Sequence, residues 1–191
     1  MKALAISFLL LLFSLKINAQ LNAEYSSKKG KSIITASYGI GNVWVYFLEH
    51  NSLIKDIPDY QVSSIGPFTV CYENFISNKI SIGITTSYSI VKGETKRFLV
   101  DEQISIFTAL ARANYHFGHS NKFDPYLGGG LGYVRSVYRN NSSIPGPVPG
   151  EFGYSAQIGA HYYLTKKAGF FGELGYVNGS FLQLGFVLRF F

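Results

Sequence analysis

The chain has 191 residues, a length that suits a single domain. Only 15% of the residues are charged and 16% are aromatic, which is an unusual balance for a soluble protein. The formal net charge of the chain is +6. No run of like-charged residues is longer than two, which argues against a nucleic-acid surface. A single cysteine, Cys71, excludes an internal disulfide framework and any multi-cysteine metal site.

The N-terminal residues have the plan of a secretory signal peptide. A positive start at Lys2 precedes an almost unbroken apolar run, and Ala19 offers a small residue before a polar continuation. The apolar run is shorter than the roughly 20 residues that a membrane-spanning helix needs. Lys16 directly after the run is unusual, which leaves an uncleaved anchor as the alternative. We therefore predict a cleaved signal peptide over residues 1–19, a lead-in over 20–31 and one exported domain over 32–191.

Most of the exported chain alternates between apolar residues and small or polar ones. Residues 80–90 do so most cleanly, with Ile, Thr or Tyr at every second position and Ser, Gly or Thr between them. A strand with one face in lipid and one in a lumen has this pattern over about 9 to 11 residues. The alternation recurs in eight segments, which cover residues 34–40, 68–73, 80–90, 107–117, 127–133, 154–162, 170–176 and 182–190.

The connections between these segments alternate in length, which predicts an inside and an outside. Short polar breaks occur at residues 74–78, 118–123 and 165–168, and longer ones at 41–63, 91–102 and 139–151, whereas 178–180 is tight. Short periplasmic turns and long outer loops are typical of outer-membrane barrels. An open sheet would leave unpaired backbone groups in hydrocarbon, so the eighth strand must close on the first. The sequence thus predicts an all-β, up-and-down, antiparallel transmembrane β-barrel of eight strands, or of ten if residues 41–63 add a hairpin.

The segment from Val43 to Leu48 is apolar throughout and contains the single tryptophan, Trp44. It has no clear periodicity, so three interpretations remain open. The segment could extend the first strand above the membrane, fold as a short interfacial helix, or present an adhesive surface to a partner.

Five ionisable residues fall on the predicted inward face of the strands. The interior of an eight-stranded barrel is just wide enough to be filled by side chains. Buried charges in such a place must pair, because unpaired ones are costly. We therefore predict a paired lumen network that stiffens the barrel, with a gated conductance as the alternative; its members are Glu73, Arg112, His161, Glu173 and Arg189.

No spacing in the sequence indicates catalysis or metal binding. His116 and His119 are three residues apart, but on a strand followed by a predicted periplasmic turn, where the spacing has no helical meaning. His50 lies in the first outer loop without a hydrolase motif around it, and sequence adjacency alone does not place a base near a nucleophile. We predict no catalytic, cofactor or metal site, so the chain is not expected to be an enzyme; an outer-leaflet lipid hydrolase is the remote alternative.

The C-terminal residues alternate up to a terminal aromatic pair, as in the signal by which barrel-assembly machinery accepts an exported chain. The phase makes Phe190 the signature ring, with Phe191 as one extra residue. The predicted assembly signal consists of Leu184, Phe186, Leu188, Phe190 and Phe191.

Several of these stretches resemble the eight-stranded outer-membrane barrels of the OmpA and OmpX type, a porin-family group of small barrels. The stretches that carry the resemblance are residues 66–73, 79–83, 112–117, 124–133 and 171–176. The resemblance covers the chain from about Ser32 onward and implies a monomeric wall with a lumen mostly filled by side chains. It is specific for the type of barrel and says little about activity.

The functional expectation is accordingly broad. We predict a protein of the bacterial outer membrane with a structural or surface-interaction role, whose outer loops contact the environment or an envelope protein partner; a narrow pore is the alternative. The expected partners also include outer-membrane lipid and, during biogenesis, the barrel-assembly machinery. We expect no nucleic acid and no cofactor.

Overall fold

A computed structural model describes residues 28–49, 60–95, 100–118, 120–140 and 152–190. They form eight strands and one short helix: β1 (Ser32–Asn42), α1 (Val43–Glu49), β2 (Gln61–Phe75), β3 (Ile80–Thr95), β4 (Val100–His116), β5 (Phe123–Asn140), β6 (Phe152–Tyr163), β7 (Ala168–Val177) and β8 (Ser180–Phe190). The predicted signal peptide and most of the lead-in lie outside the described residues. Among those described, no helix is long and apolar enough to cross a membrane.

The strands close into a barrel in which every neighbouring pair is antiparallel. Each strand pairs with the next one along the chain, and β8 returns to β1 with a register that runs from Ser32↔Phe190 to Asn42↔Ser180. Closure leaves no free edge within the lipid-facing part of the wall. The prediction of an eight-stranded, up-and-down barrel is confirmed.

The alternation in the sequence decides which side chains face outward. In β3, Ile84 and Tyr88 are 61% and 45% exposed, whereas Ser81 and Thr85 are fully buried. The apolar face is therefore outside and the polar face is inside, the reverse of a soluble sandwich. A wall of this kind is stable only where hydrocarbon surrounds it.

An aromatic row crosses four adjacent strands near one end of the barrel. Tyr38, Phe68, Tyr88 and Phe107 are register partners in succession from β1 to β4, and all are about half exposed. The Tyr38 and Phe68 rings meet edge to face with centroids 5.1 Å apart. Amphipathic rings collect where a membrane meets water, so this row marks the outer interface.

Four strands continue well beyond that aromatic row. β3 runs seven residues past Tyr88 to Thr95, and β4 begins seven residues before Phe107 at Val100. Seven residues of strand extend about 23 Å at about 3.3 Å per residue. β1, in contrast, ends four residues after Tyr38. We call the extension the projecting wall; it comprises residues 61–67, 89–95, 100–106 and 136–140.

The predicted outer loop over residues 91–102 is strand over residues 91–95 and 100–102, and residues 96–99 lie outside the described residues. Lys92 and Glu94 pair in register with Gln103 and Asp101 of β4. The apolar alternation fades in this stretch because its outward face meets water rather than lipid, which leaves the backbone free to continue as a strand. Because the predicted strands stop where the apolar alternation stops, they are several residues shorter at this end than the strands of the structure.

The helix α1 lies across the mouth of the barrel, and we call it the lid helix. Its Val43 N–H donates to the Gly179 carbonyl at 2.9 Å, and the Asn42 side chain accepts a hydrogen bond from the Trp44 N–H at 3.0 Å. On the opposite side, Trp44 and Val45 pack against inward-facing apolar residues of β3, β4 and β5, namely Val91, Ile104, Ile106 and Val134. Of the three interpretations of this segment, the described residues show a helix.

Candidate functional site

A buried ion-pair network fills the middle of the lumen. Arg112 in β4 donates to both carboxylate oxygens of Glu173 in β7, with Nη1 3.2 Å from Oε2 and Nη2 in close contact with Oε1. The Arg112 Nε also lies 3.4 Å from Oε1 of Glu73 in β2. All three residues are at most 5% exposed. A bidentate guanidinium–carboxylate pair is both strong and directional, so this pair fixes opposite sides of the wall.

Neutral side chains complete the same level. The Tyr126 hydroxyl donates to Glu173 Oε1 at 2.5 Å, and Gln157 Nε2 donates to the Asn114 side-chain oxygen at 3.1 Å. The Tyr126 ring lies against Gly159, where a Cβ atom would stand 2.7 Å from the ring. Glycine at this position therefore makes room for a large side chain that points inward.

A second group of ionisable residues lies at the end of the lumen that carries the short turns, which is the periplasmic end in barrels of this kind. Asp124 in β5 accepts a hydrogen bond at Oδ1 from Lys28 Nζ, at 2.5 Å, and its Oδ2 lies 3.0 Å from His116 Nδ1 and 3.9 Å from His161 Nδ1. We call these four residues the periplasmic cluster. Lys28 enters it from the lead-in, and burial lowers the pKa of its ammonium group while Asp124 acts to raise it.

A serine connects the two groups. The Ser81 hydroxyl donates to Glu73 Oε2 at 2.5 Å, and its oxygen lies 3.0 Å from His116 Nε2. The order Ser81, His116, Asp124 has the outline of a hydrolytic triad. Ser81 is fully buried, however, and its single proton is engaged by Glu73, so it is neither accessible to a substrate nor able to pass that proton to His116.

The family model of the outer membrane protein β-barrel domain matches residues 7–190. The chain belongs to this family. The predicted resemblance to small outer-membrane barrels and the predicted location in the bacterial outer membrane are both confirmed.

Solved structures that share the fold of this outer membrane barrel include two bacterial outer-membrane proteins. OprG from Pseudomonas aeruginosa is 15% identical, with a TM-score of 0.52 over 87% of this chain and 98% of that one. The Outer Membrane Protein W of E. coli is also 15% identical, with a TM-score of 0.50 over 85% of this chain and 99% of that one. At such identity the likeness concerns the fold alone. No curated protein sequence matches the chain.

The structure divides the five residues predicted for the lumen network among three places. Glu73, Arg112 and Glu173 lie together in the central network. His161 belongs instead to the periplasmic cluster, 3.9 Å from Asp124. Arg189 is also buried, but its guanidinium carbon lies 3.7 Å from the centroid of the Tyr163 ring. The proposed stiffening role of these residues stays a prediction.

Several residues of these two groups are absent from the lumen network that the sequence predicts. Asp124 and Tyr126 have the inward phase of β5, but the predicted strand begins only at residue 127, after a proline. His116 lies within the predicted strand 107–117 and has its inward phase, yet it is not a member of the predicted lumen network. His119 lies outside the described residues. Extending the predicted strand 127–133 backward along its alternation to the preceding turn would have found Asp124 and Tyr126, and counting every inward residue of the strand 107–117 would have found His116.

The predicted assembly signal has four members among the described residues. Leu184, Phe186, Leu188 and Phe190 all lie on the outer face of β8 and are between 46% and 62% exposed. Phe191 lies outside the described residues. Recognition by the assembly machinery stays a prediction.

Proposed function

We propose that this outer membrane barrel is a closed, non-enzymatic wall that acts through the surface it presents outside the membrane. The observation that carries the proposal is the filled lumen. The periplasmic cluster, the central network and the lid helix succeed one another from one end to the other. A narrow pore is the alternative that this arrangement disfavours.

Ion passage would have to disrupt the central network. Arg112 is held at once by Glu173 and by Glu73, and these side chains are nearly inaccessible to solvent. Breaking such a pair leaves uncompensated charge in a poorly hydrated interior, which is costly. The network therefore supports a lumen that serves as a core rather than as a channel.

Planar-bilayer recording of the refolded protein tests this closed state. We expect no discrete current steps, with an open porin in the same bilayers as the positive control. Heat-modifiable gel migration identifies preparations that are folded. Reproducible unitary steps from folded protein would replace the closed wall with the pore alternative.

The projecting wall supports a role at the cell surface. Pairing of β1 with β2 ends at Tyr38↔Phe68, and pairing of β5 with β6 ends at Tyr133↔Phe152. Beyond these points, the described residues provide no strand partner for the outer sides of β2 and β5. Exposed strand edges accept an additional extended segment, with backbone hydrogen bonds providing affinity. We therefore propose an extended protein segment as the partner class.

A photo-crosslinking residue in place of Val137 tests the surface role in intact cells. Val137 lies on the projecting wall and is 46% exposed; Val70, at 53%, lies below the aromatic row and is the matched control. We expect protein adducts from position 137 and none from position 70. If neither position gives a protein adduct, the surface-interaction role is contradicted.

The remaining partners follow from the outer face. Outer-membrane lipid would surround the apolar belt, and the barrel-assembly machinery would read residues 184–191 during insertion. We further propose that the closed wall acts as a monomer.

The burial of Ser81 supports the absence of lipid hydrolysis. Purified protein should accordingly leave the masses of lipid A and phospholipids unchanged, and a deacylated product would overturn the non-enzymatic part of the proposal.

A further inference from the structure

Three side chains of the periplasmic cluster form a set of metal-ligand type. His116, Asp124 and His161 come from three consecutive strands, β4, β5 and β6, and each is at most 1% exposed. Each offers one ligand atom, and these atoms all lie within 4.8 Å of one another. Two imidazoles and a carboxylate are ligands that zinc and its neighbours among the divalent transition ions accept.

The hydrogen bonds of Ser81 determine which nitrogen of His116 carries a proton. Glu73 is paired with Arg112 and is therefore an ionised acceptor, so the Ser81 hydroxyl must donate its only proton to Glu73. The Ser81 oxygen then accepts from His116 Nε2–H. In the neutral ring this leaves a lone pair on Nδ1.

That lone pair faces another acceptor. His116 Nδ1 is 3.0 Å from the Asp124 Oδ2 atom, and two acceptors at this distance repel unless a proton lies between them or a cation bridges them. The species is either a second proton on His116 or a cation bound by both atoms. The Ser81 contact is compatible with both alternatives, and it is the contact through which a metal-bound histidine characteristically donates its other N–H to an orienting acceptor.

His161 supplies an independent observation. Its ring is fully buried, and within the described part of the chain neither of its nitrogens has a hydrogen-bond partner. Its Nδ1 lies 3.9 Å from Asp124 Oδ2, which is too far for a hydrogen bond. Buried imidazole nitrogens without partners are costly, and a metal ion near Oδ2 would satisfy one of them.

We propose that His116, Asp124 and His161 form a binding site for a divalent transition ion of the zinc type, with an open position for water. The ligands would be Nδ1 of His116, Oδ2 of Asp124 and one imidazole nitrogen of His161. Binding would link β4, β5 and β6 at the periplasmic end of the lumen. This inference is independent of the proposed surface role.

Lys28 gives the site a built-in competitor. Its ammonium group holds the other oxygen of Asp124 at 2.5 Å, so a metal ion and Lys28 would share one carboxylate. The Lys28 ammonium group and a metal ion bound to the same carboxylate are both positive, so they would repel each other strongly in this buried place. Metal binding therefore requires the Lys28 ammonium group to move away from Asp124. Replacing Lys28 by methionine should strengthen metal binding by about tenfold or more.

Titration of tag-free, refolded protein tests the site. Zn²⁺ binding is followed by calorimetry and Co²⁺ binding by its visible absorption. We expect a single equivalent bound by the wild type, no binding of comparable strength by His161→Ala, and retention in His119→Ala, which removes a histidine three positions from a ligand. Mg²⁺ should give no heat, because it prefers oxygen ligands. Ser81→Ala should weaken Zn²⁺ binding by about 10- to 100-fold through the lost orienting contact.

A second pair of variants keeps the proposal testable if His161→Ala does not fold. Lys28→Met should bind Zn²⁺ more tightly, whereas Lys29→Met, whose side chain is exposed, should match the wild type. The zinc X-ray absorption spectrum of the wild type should contain imidazole scattering. If neither the wild type nor Lys28→Met binds Zn²⁺ stoichiometrically, the proposed site is overturned. The contact between His116 Nδ1 and Asp124 Oδ2 is then explained by a second proton on His116. Undiminished binding by folded His161→Ala, or a zinc shell without imidazole, would overturn it as well.

Discussion

Arg112 and Glu173 join two strands that are not neighbours, because the guanidinium group in β4 donates to both carboxylate oxygens in β7 across the lumen. Neighbouring strands of a barrel are already held by their backbone ladder. A contact across the lumen adds a constraint that the ladder cannot supply, since it resists flattening of the cross-section. This relationship makes the central network a direct target for stability measurements.

We predict that Arg112→Ala destabilises the barrel substantially. The substitution leaves Glu73 and Glu173 buried without their shared cation, and breaking a buried pair in this way costs about 3 to 5 kcal/mol. The free energy of unfolding in urea, followed in detergent through the fluorescence of Trp44, measures the change. Arg135→Ala, on an exposed position, should stay within about 0.5 kcal/mol of the wild type. Equal stability of the two variants would contradict a structural role for the network.

Gly159→Ala should also be destabilising, for a steric reason. Its new Cβ would stand 2.7 Å from the Tyr126 ring and 2.9 Å from Cγ of Glu173. Overpacking of this kind costs about 1 to 3 kcal/mol. Gly172→Ala is the matched control, because its nearest neighbour at 3.2 Å is the flexible end of Leu184. Urea unfolding of both variants gives the comparison, and a larger loss in Gly172→Ala would argue against the packing of Tyr126.

Trp44→Ala should release the lid helix from the mouth of the barrel. The indole packs against the apolar cluster of β3, β4 and β5, and it also approaches Gly179 on the opposite side. Without it, residues 43–49 should become accessible to proteases while the barrel remains intact. Limited proteolysis with mass-spectrometric mapping locates the cuts. Tyr46→Ala, at a side chain that is 58% exposed, should change the cleavage rate less. Equal rates in both variants would show that Trp44 does not anchor the helix.

Chemical labelling tests the orientation of the barrel. A cysteine at Arg139, on the projecting wall, should react with a membrane-impermeant maleimide on intact cells. A cysteine at Lys166, in the short turn after β6, should react only after the outer membrane is permeabilised. The native Cys71 is 2% exposed and should give no background. The opposite labelling pattern would invert the assignment of the two ends.

The sequence predicted the faces of the strands well because the contrast between lipid and lumen is a local property. Ile84 is apolar because its exposed side chain faces lipid, and its neighbour Thr85 is polar because its buried side chain faces the lumen. The outer ends of the strands were harder to predict. Around Lys92 the wall meets water on its outward face, so polar residues occur without any break in backbone pairing.

The periplasmic cluster could not be predicted from spacing. Its members come from the lead-in and from three different strands, and only the register of a closed barrel brings Lys28 to Asp124, which is 96 positions away. Local pattern reveals that a residue points inward. It does not reveal the level of the lumen that the residue reaches, because that depends on the stagger accumulated around the whole circumference.

The uneven height of the rim gives the molecule a direction within the plane of the membrane. A neighbour that approaches from the side of β3 and β4 meets a raised sheet, while one that approaches from β7 and β8 meets the tight connection at Asn178 and the headgroups beside it. Rotation about the membrane normal therefore changes what an adjacent molecule encounters. Contacts at the cell surface would then depend on how the barrel is rotated as well as on the distance to its neighbour. In a crowded membrane, the neighbouring barrels would therefore determine which sides of the barrel can still bind a partner.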